Sequence, residues 1–363
     1  MPVVGIPVNL LTERLAGDLG RDELIEHLYH LGCDVEGYAT LTRFKCQRCG
    51  NILEITETQD PPVVCRRCGV DFNEVPDART DLGPAEVIRM ELLAVRPDMF
   101  DPGGLARTMR GYLGQQMGSP AYELRPPEAT VTVDPALATE ACPRPAIACA
   151  VVRGVKLDDD IIKVIMNLQE NLHWALGRDR KHASIGVYDL ERMAWPAFTY
   201  RAVGPEELSF VPLGFDPEDA DAQMTPKQIL EEHPKGVEFA RLLKGFEKFP
   251  LLADGDGGVL SMPPIINSEH TRVTDESTSF FIDVTGTNRR LVGRTLNVLV
   301  TSLKELCTDL VIEGVTIDYG GDDKCVTPDF TPQEVPLEVT PTAKLIGIEL
   351  DPARLITLLS RMG

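Results

Sequence analysis

The stretch Leu260–Asn288, LSMPPIINSEHTRVTDESTSFFIDVTGTN, decides how this chain is read. Its last third, Ser279 to Gly286, has the composition of a strand. Successive strand residues face opposite sides, so Phe280, Ile282 and Val284 point one way and Phe281, Asp283 and Thr285 the other. The first set makes a core face. The second places an aromatic ring beside a carboxylate and a hydroxyl. Two readings are open: an antiparallel strand with one solvated face, or the wall of a pocket that holds something polar. Upstream, Pro263 and Pro264 stiffen an extended path and remove two amide donors from it.

A second stretch, GRDRKHASIGVYDLE (Gly177–Glu191), follows a predicted amphipathic helix over 160–176, whose buried side is Ile161, Ile162, Val164, Ile165, Leu168 and Leu172. It carries Arg178, Arg180 and Lys181, then His182 and Ser184, then a strand-like run from Ile185 to Tyr188. A His near a Ser implies nucleophilic catalysis only where a third group orients the His, and no nucleophile-elbow motif is present. Cations favouring the dipole of a helix C-terminus are the plainer reading.

Further helices are predicted over 22–31, with Gly32 as its stop, over 102–113 behind an Asp101 cap, and over 290–306. Thr225 to Gln228 forms a capping box that opens a short helix. Strands are predicted over 146–155 and 310–319. Two proline-rich segments, 120–135 and 328–341, read as links, with one short helix over 352–362 after the second.

At 363 residues the chain is long enough for two or three domains, and its 43% hydrophobic content is ordinary for a globular protein. A formal charge of −20 argues against a general nucleic-acid coat, though not against a local basic patch. No signal-peptide pattern is evident, and no apolar run approaches the roughly 18 residues of a membrane span. The expectation is a soluble cytoplasmic protein with no membrane partner.

Cys33, Cys142, Cys149, Cys307 and Cys325 are scattered and read as reduced thiols. Cys46, Cys49, Cys65 and Cys68 instead form two Cys-x-x-Cys-Gly knuckles, the spacing of a tetrahedral zinc ribbon. Four thiolates leave no open coordination position, so the predicted zinc is structural. Arg43, Lys45, Arg48, Arg66 and Arg67 make this one of the more basic segments; they either touch phosphates or are solvated ribbon tips.

GRDRKHASIGVYDLE and GGVLSMPPIINSEHTRVTDESTSFFIDVTGTN together resemble the editing region of the β subunit of phenylalanyl-tRNA synthetase of the archaeal and eukaryotic type. Arg96-Pro-Asp-Met-Phe-Asp-Pro-Gly-Gly-Leu-Ala-Arg107 is similar to that family's N-terminal NRPDLLS-x-x-GLAR segment, with Val95 where Asn is usual. Val339 to Leu350 resembles the start of the domain after the editing region. The ribbon looks like an insertion.

The resemblance implies an α+β, multi-domain chain. Its parts would be an N-terminal α/β domain (1–119) with the ribbon at about 43–72, a B3/B4-type editing domain (120–332) with a largely antiparallel sheet and flanking helices, and a truncated B5-type helical piece (333–363). It implies an α-subunit partner in a heterotetramer, tRNA(Phe) as a ligand, and ATP and magnesium in the complete synthetase only. The implied activity is hydrolysis of tyrosine mischarged on tRNA(Phe). A pocket for phenylalanine rejects an added hydroxyl by only about a hundredfold, whereas a second site that hydrogen-bonds the hydroxyl discriminates better. On this reading Asp283, Thr285 and His182 are the catalytic candidates. Leu251, Ser261, Asn267, Phe281 and Ser184 line the substrate pocket, and Arg178, Arg180 and Lys181 meet the tRNA. Tyr188 stands where some relatives have His. A non-catalytic relative that binds an amino acid or tRNA, or an assembly module, is the alternative.

Overall fold

The computed structural model describes residues 3–66, 68–91 and 95–362. Its N-terminal sheet has the order β1 (Val3–Pro7), β4 (Arg79–Glu91), β2 (Asp34–Cys46) and β3 (Ile52–Thr56). The helices α1 (Val8–Thr12) and α2 (Arg21–His30) belong with it. β2 and β4 are each 13 residues long and run antiparallel out to the ribbon, so the ribbon sits at the tip of a long strand pair. The ribbon has its own small core, including Leu53, Val70, Phe72 and the cysteines.

α3 (Pro102–Tyr112) starts where predicted. Asp101 accepts bonds from the amides of Gly103 and Gly104 at 2.8 and 3.1 Å, two of the helix's otherwise unpaired donors. The same carboxylate accepts from Ser302 Oγ at 2.7 Å, which ties α3 to α7 (Arg289–Leu306). A Cβ at Gly104 would lie 1.9 Å from the Asp98 carbonyl oxygen, so the paired glycines are required by packing.

The central sheet has ten strands. They are β5 (Leu124–Val133), β6 (Ala146–Arg153), β7 (Ala183–Asp189), β8 (Ala197–Val203), β9 (Phe249–Asp254), β10 (Val259–Met262), β11 (Ile266–Asn267), β12 (Ser279–Gly286), β13 (Val311–Asp318) and β14 (Lys324–Thr327). The spatial order is β11-β10-β9-β8-β5-β13-β6-β12-β7, with β14 on β13. Among the described residues only the pairs that flank β5 are parallel, as the predicted largely antiparallel sheet requires.

The sheet curls until its two ends meet. Asn267 Nδ2, on the first strand, donates to the Val187 carbonyl on the last at 3.4 Å, and the Asp189 amide donates to Thr271 O at 3.0 Å. Strand alternation then sorts the side chains. Ile147, Cys149, Val151 and Phe281 pack inside with Phe198 and Tyr200. Ala146, Ala148, Ala150, Phe280, Ile282 and Val284 pack outside against α7 and α4 (Asp159–Ala175). That outer core is continuous with the N-terminal sheet and its helices. A third core lies under α5 (Pro226–Glu232) and α6 (Pro234–Phe239).

Three expectations change. The proline-rich segment 120–135 is no link: most of it is β5, in the middle of the sheet. Pro126 and Pro127 fall at a register break, between the Arg125–Glu313 and Ala129–Val315 pairs, where a missing N–H breaks no ladder bond. The second proline-rich segment ends earlier than expected, because α8 (Val339–Ile346) begins inside it. Pro341 lies in that helix's first turn, where amides have no intrahelical acceptor. The C-terminal piece therefore holds two helices, α8 and α9 (Pro352–Ser360).

Candidate functional site

β12 is buried on both faces, so its polar residues do not face solvent. β12 lies between β6 and β7, and its register sets Phe281 opposite Tyr188, Asp283 opposite Gly186 and Thr285 opposite Ser184. All six are on the inner face of the closed sheet.

Two polar clusters result. In the first, the Tyr188 hydroxyl lies 2.5 Å from Asp283 Oδ1 and 2.7 Å from Ser261 Oγ. A phenol has one proton, so Tyr188 donates to the carboxylate and accepts from the serine. Its ring folds back over Gly186, where a Cβ would lie 2.0 Å from the phenol oxygen. Burial pushes Asp283 up to about 7, against the opposing effects of the Tyr188 bond and the Arg144 charge. Burial, reinforced by the Asp283 charge, raises Tyr188 well above the usual phenol range.

The second cluster is organised by Arg144, which the sequence reading missed. Its guanidinium donates to Ser184 Oγ at 2.8 Å, Thr285 O at 2.8 Å and Thr285 Oγ1 at 3.3 Å. It also reaches Lys181 O at 3.2 Å and Arg180 O at 3.5 Å. Arg144 is 3% exposed, and burial lowers its pKa. The two carbonyls belong to a turn in which Arg178, Asp179 and Arg180 have φ of 49°, 55° and 64°. Each such non-glycine residue costs about 1–2 kcal/mol and persists only when its surroundings over-determine it. Arg144 pins this turn from inside. From outside, Arg180 pairs with Glu170 at 2.7 Å and stacks over Phe239, and Asp179 pairs with Arg241.

Beside Asp283 and Tyr188 the free space is only about 30 Å³, lined also by Ser261, Pro263, Pro264 and Asn267. This niche adjoins a much larger cleft of about 500 Å³ outside the β7–β11 seam, and His173, Arg180, Ile265 and Asn267 line both. Ser184, Ser261, Asn267, Asp283 and Arg180 are thus brought to the niche, and Thr285 to the adjoining cluster. Phe281 is inside the barrel, stacked on Phe198 at 4.3 Å. Leu251 faces away into the third core. His182 is half-buried, with Nδ1 3.5 Å from Thr287 Oγ1, and lines neither space; Arg178 and Lys181 are exposed beside it.

The four ribbon cysteines have their Sγ atoms within 4.8 Å of one another. Cys46–Cys68 and Cys49–Cys65 are 3.7 and 3.6 Å apart. A zinc with bonds of about 2.3 Å to a tetrahedron of sulfurs needs edges of about 3.8 Å, so this donor set fits one. The knuckles repeat: the Gly50 and Gly69 amides each donate 2.8 Å to the carbonyl of the first cysteine, with φ of 69° and 72°. Arg67 lies outside the described residues.

The buried acid gives a pH prediction. Asp283 holds its proton in the folded state up to about 7, whereas the unfolded chain loses it near the ordinary 3.8. Between those values the folded state binds more protons, so this group's contribution to stability falls as pH rises and is constant above about 7. Asp283→Asn removes the effect. The variant is expected to gain on the parent by up to about 4 kcal/mol between pH 4 and pH 7, at about 1.4 kcal/mol per unit, as read by urea unfolding of both chains across that range. A constant difference would contradict the burial of an ionisable group here.

No family model matches the chain. It is 34% identical over 361 residues to the phenylalanine–tRNA ligase β subunit of Methanosphaera stadtmanae, covering 99% of this chain and 55% of that protein. It is 40% identical over 294 residues to the β subunit of Methanothrix thermoacetophila, covering 81% of this chain and 51% of the other. The chain therefore spans about half the length of these curated relatives. A crystal structure of an N-terminal fragment of the phenylalanyl-tRNA synthetase β subunit from Pyrococcus horikoshii superposes with a TM-score of 0.79 at 30% identity, over 99% of this chain and 89% of that one. Among the described residues no helix is long and apolar enough to cross a membrane. Sequence, fold and the matched length agree that the chain belongs to the phenylalanine–tRNA ligase β-subunit family.

Proposed function

We propose that this chain carries the hydrolytic editing site of a phenylalanine–tRNA ligase, acting on tyrosine attached in error to tRNA(Phe). The observation that supports it is the pairing of Asp283 with a phenol: a fully buried carboxylate already accepts a hydrogen bond from the Tyr188 hydroxyl. A group placed to bind one phenol can bind another, and a phenylalanyl ring would leave it unpaired. About 30 Å³ holds roughly one water, so a substrate ring enters only as Tyr188 gives way. Water then attacks the ester carbonyl, the bond to the ribose oxygen breaks, and that oxygen takes the proton. Thr285 and Ser184 stand beside the niche, held in place by Arg144. The ribbon cysteines hold a structural zinc. An α subunit that binds ATP and magnesium is the expected partner, in the cytoplasm.

A second reading has one observation in its favour. Tyr188 fills the niche itself, as it would in a module that serves assembly alone. The discriminating experiment is deacylation of tyrosyl- and phenylalanyl-tRNA(Phe) by the purified, metal-loaded chain, its Asp283→Ala variant and its Tyr188→Ala variant. Editing predicts release of tyrosine in preference to phenylalanine, at least tenfold weakened in Asp283→Ala and retained or increased in Tyr188→Ala. No deacylation by any of the three folded chains would favour the assembly module.

A further inference from the structure

The 500 Å³ cleft is built by two parts of the fold that the niche alone does not connect. Its floor is apolar: Ile162, Ile165 and Met166 of α4, Ile185 and Val187 of β7, and Phe280. Its opposite wall is the metal ribbon, through Lys45, Gln47, Gly50, Asn51 and Arg66. Five cationic side chains line it, Lys45, Arg66, Arg180, Lys235 and Arg272, against two carboxylates, Glu170 and Asp275. Four of the five are ion-paired, Lys45 with Asp159 and Asp275, Arg180 with Glu170, Lys235 with Glu238 and Arg272 with Glu269. In a chain of formal charge −20, the charge this wall offers a ligand is therefore chiefly that of the exposed Arg66.

The ribbon is held against the barrel chiefly by charges. Lys45 meets Asp159 at 2.8 Å and Asp275 at 3.3 Å, Lys163 meets Glu54 at 3.2 Å, and Arg43 pairs with Asp160. Arg272 crosses to the carbonyl of Arg48 at 3.3 Å. Its core is separate from the main core. Such contacts exchange with solvent ions more readily than apolar packing does.

We infer that the metal ribbon is the outer jaw of this cleft and that the cleft receives a single-stranded polynucleotide end. The bases lie on the apolar floor, the phosphates face Arg66, Arg272 and Lys235, and the terminal ester points through the β7–β11 seam at Asp283. A cationic rim supplies the sequence-independent part of single-strand binding, and the bases here would meet aliphatic side chains rather than a stacking ring, since Phe280 is 1% exposed. The inference rests on the editing reading for the ester and goes beyond it in giving the ribbon a part in binding. Arg66 is a positioning residue, since it touches the strand and not the reacting ester.

The test uses binding of uncharged tRNA(Phe) transcript to the full chain, so it needs no hydrolysis. Arg66→Glu, with metal content shown to be unchanged, is expected to weaken binding about tenfold and to flatten its salt dependence by about one phosphate contact. Lys344→Ala, an exposed charge on α8, removes one cation elsewhere and is expected to leave binding within twofold. A transcript lacking its four 3′-terminal nucleotides should bind both the parent and Arg66→Glu equally weakly. Unchanged affinity in Arg66→Glu, or full affinity for the truncated transcript, overturns the inference. Should deacylation fail while the Arg66 and truncation effects persist, the hydrolytic reading falls and the jaw stands. Should binding be insensitive to both while deacylation proceeds, the reverse holds. Binding only of a protein partner in the cleft, with no affinity for tRNA at low salt, also overturns it.

Discussion

Arg144→Ala is expected to destabilise the chain by about 3–5 kcal/mol, because it removes a buried, fully bonded cation and strands the groups it served. Thr285 O, Lys181 O and Ser184 Oγ all lose a donor at once. Asp283 loses a nearby positive charge that holds its pKa down, so its titration moves above about 7. Arg144→Lys keeps the charge but not the planar fork, and about half of the loss is expected. Urea unfolding gives the first quantity. A loss below about 1 kcal/mol for Arg144→Ala would mean that water reaches the cluster and replaces the guanidinium. The left-handed turn provides a second readout: freed from Arg144, residues 178–181 should exchange amide hydrogens faster in both variants.

The second large effect concerns the metal. Zinc binding to small Cys-rich domains is worth about 10–16 kcal/mol in apparent free energy, and that binding is the folding energy of the unit. Chelation, or Cys49→Ser, is therefore expected to unfold residues 43–80 outright. The ribbon's core is separate from the cores of the barrel and the N-terminal helices, so the damage should stop there. Hydrogen exchange by mass spectrometry should show ribbon peptides unprotected and the peptide over β12 unchanged. Loss of protection in β12 would show instead that the ribbon and barrel unfold as one unit.

The sequence carried the periodic elements well. β12 spans the predicted residues, and the helices around 22–31, 102–113, 160–176 and 290–306 each lie within a residue or so of expectation. Local signals set these: an Asp or Asn cap, a glycine stop, a strict alternation. The ribbon cysteines were legible because a metal tetrahedron demands a fixed spacing. What was not legible depended on non-local partners. β5 reads as a link because two prolines stand in it, and only its register against β13 shows that they fall at a break. Arg144 lies between two prolines before an apolar strand, with no periodic neighbour to mark it. Its importance comes from residues 36 to 141 positions away in the chain. Leu251 was assigned to the pocket, but β9 turns it outward and Leu252 inward. Tyr188 was legible as a position but not as an occupant of the niche.

The way the sheet closes has a further consequence. An open sheet of this length would present two rows of unpaired backbone groups, each a template for strand addition by a second chain. Here the segment 266–271 covers the outer row of β7, at Val187 and Asp189, with one side-chain and one main-chain bond. A seam of that kind can part without breaking a full ladder. Asn267→Ala should thus have a solubility phenotype more marked than its stability phenotype. Concentrated protein should self-associate through exposed β7, and Val187→Pro in that background, which removes an outward amide that an added strand would bond, should reduce the association.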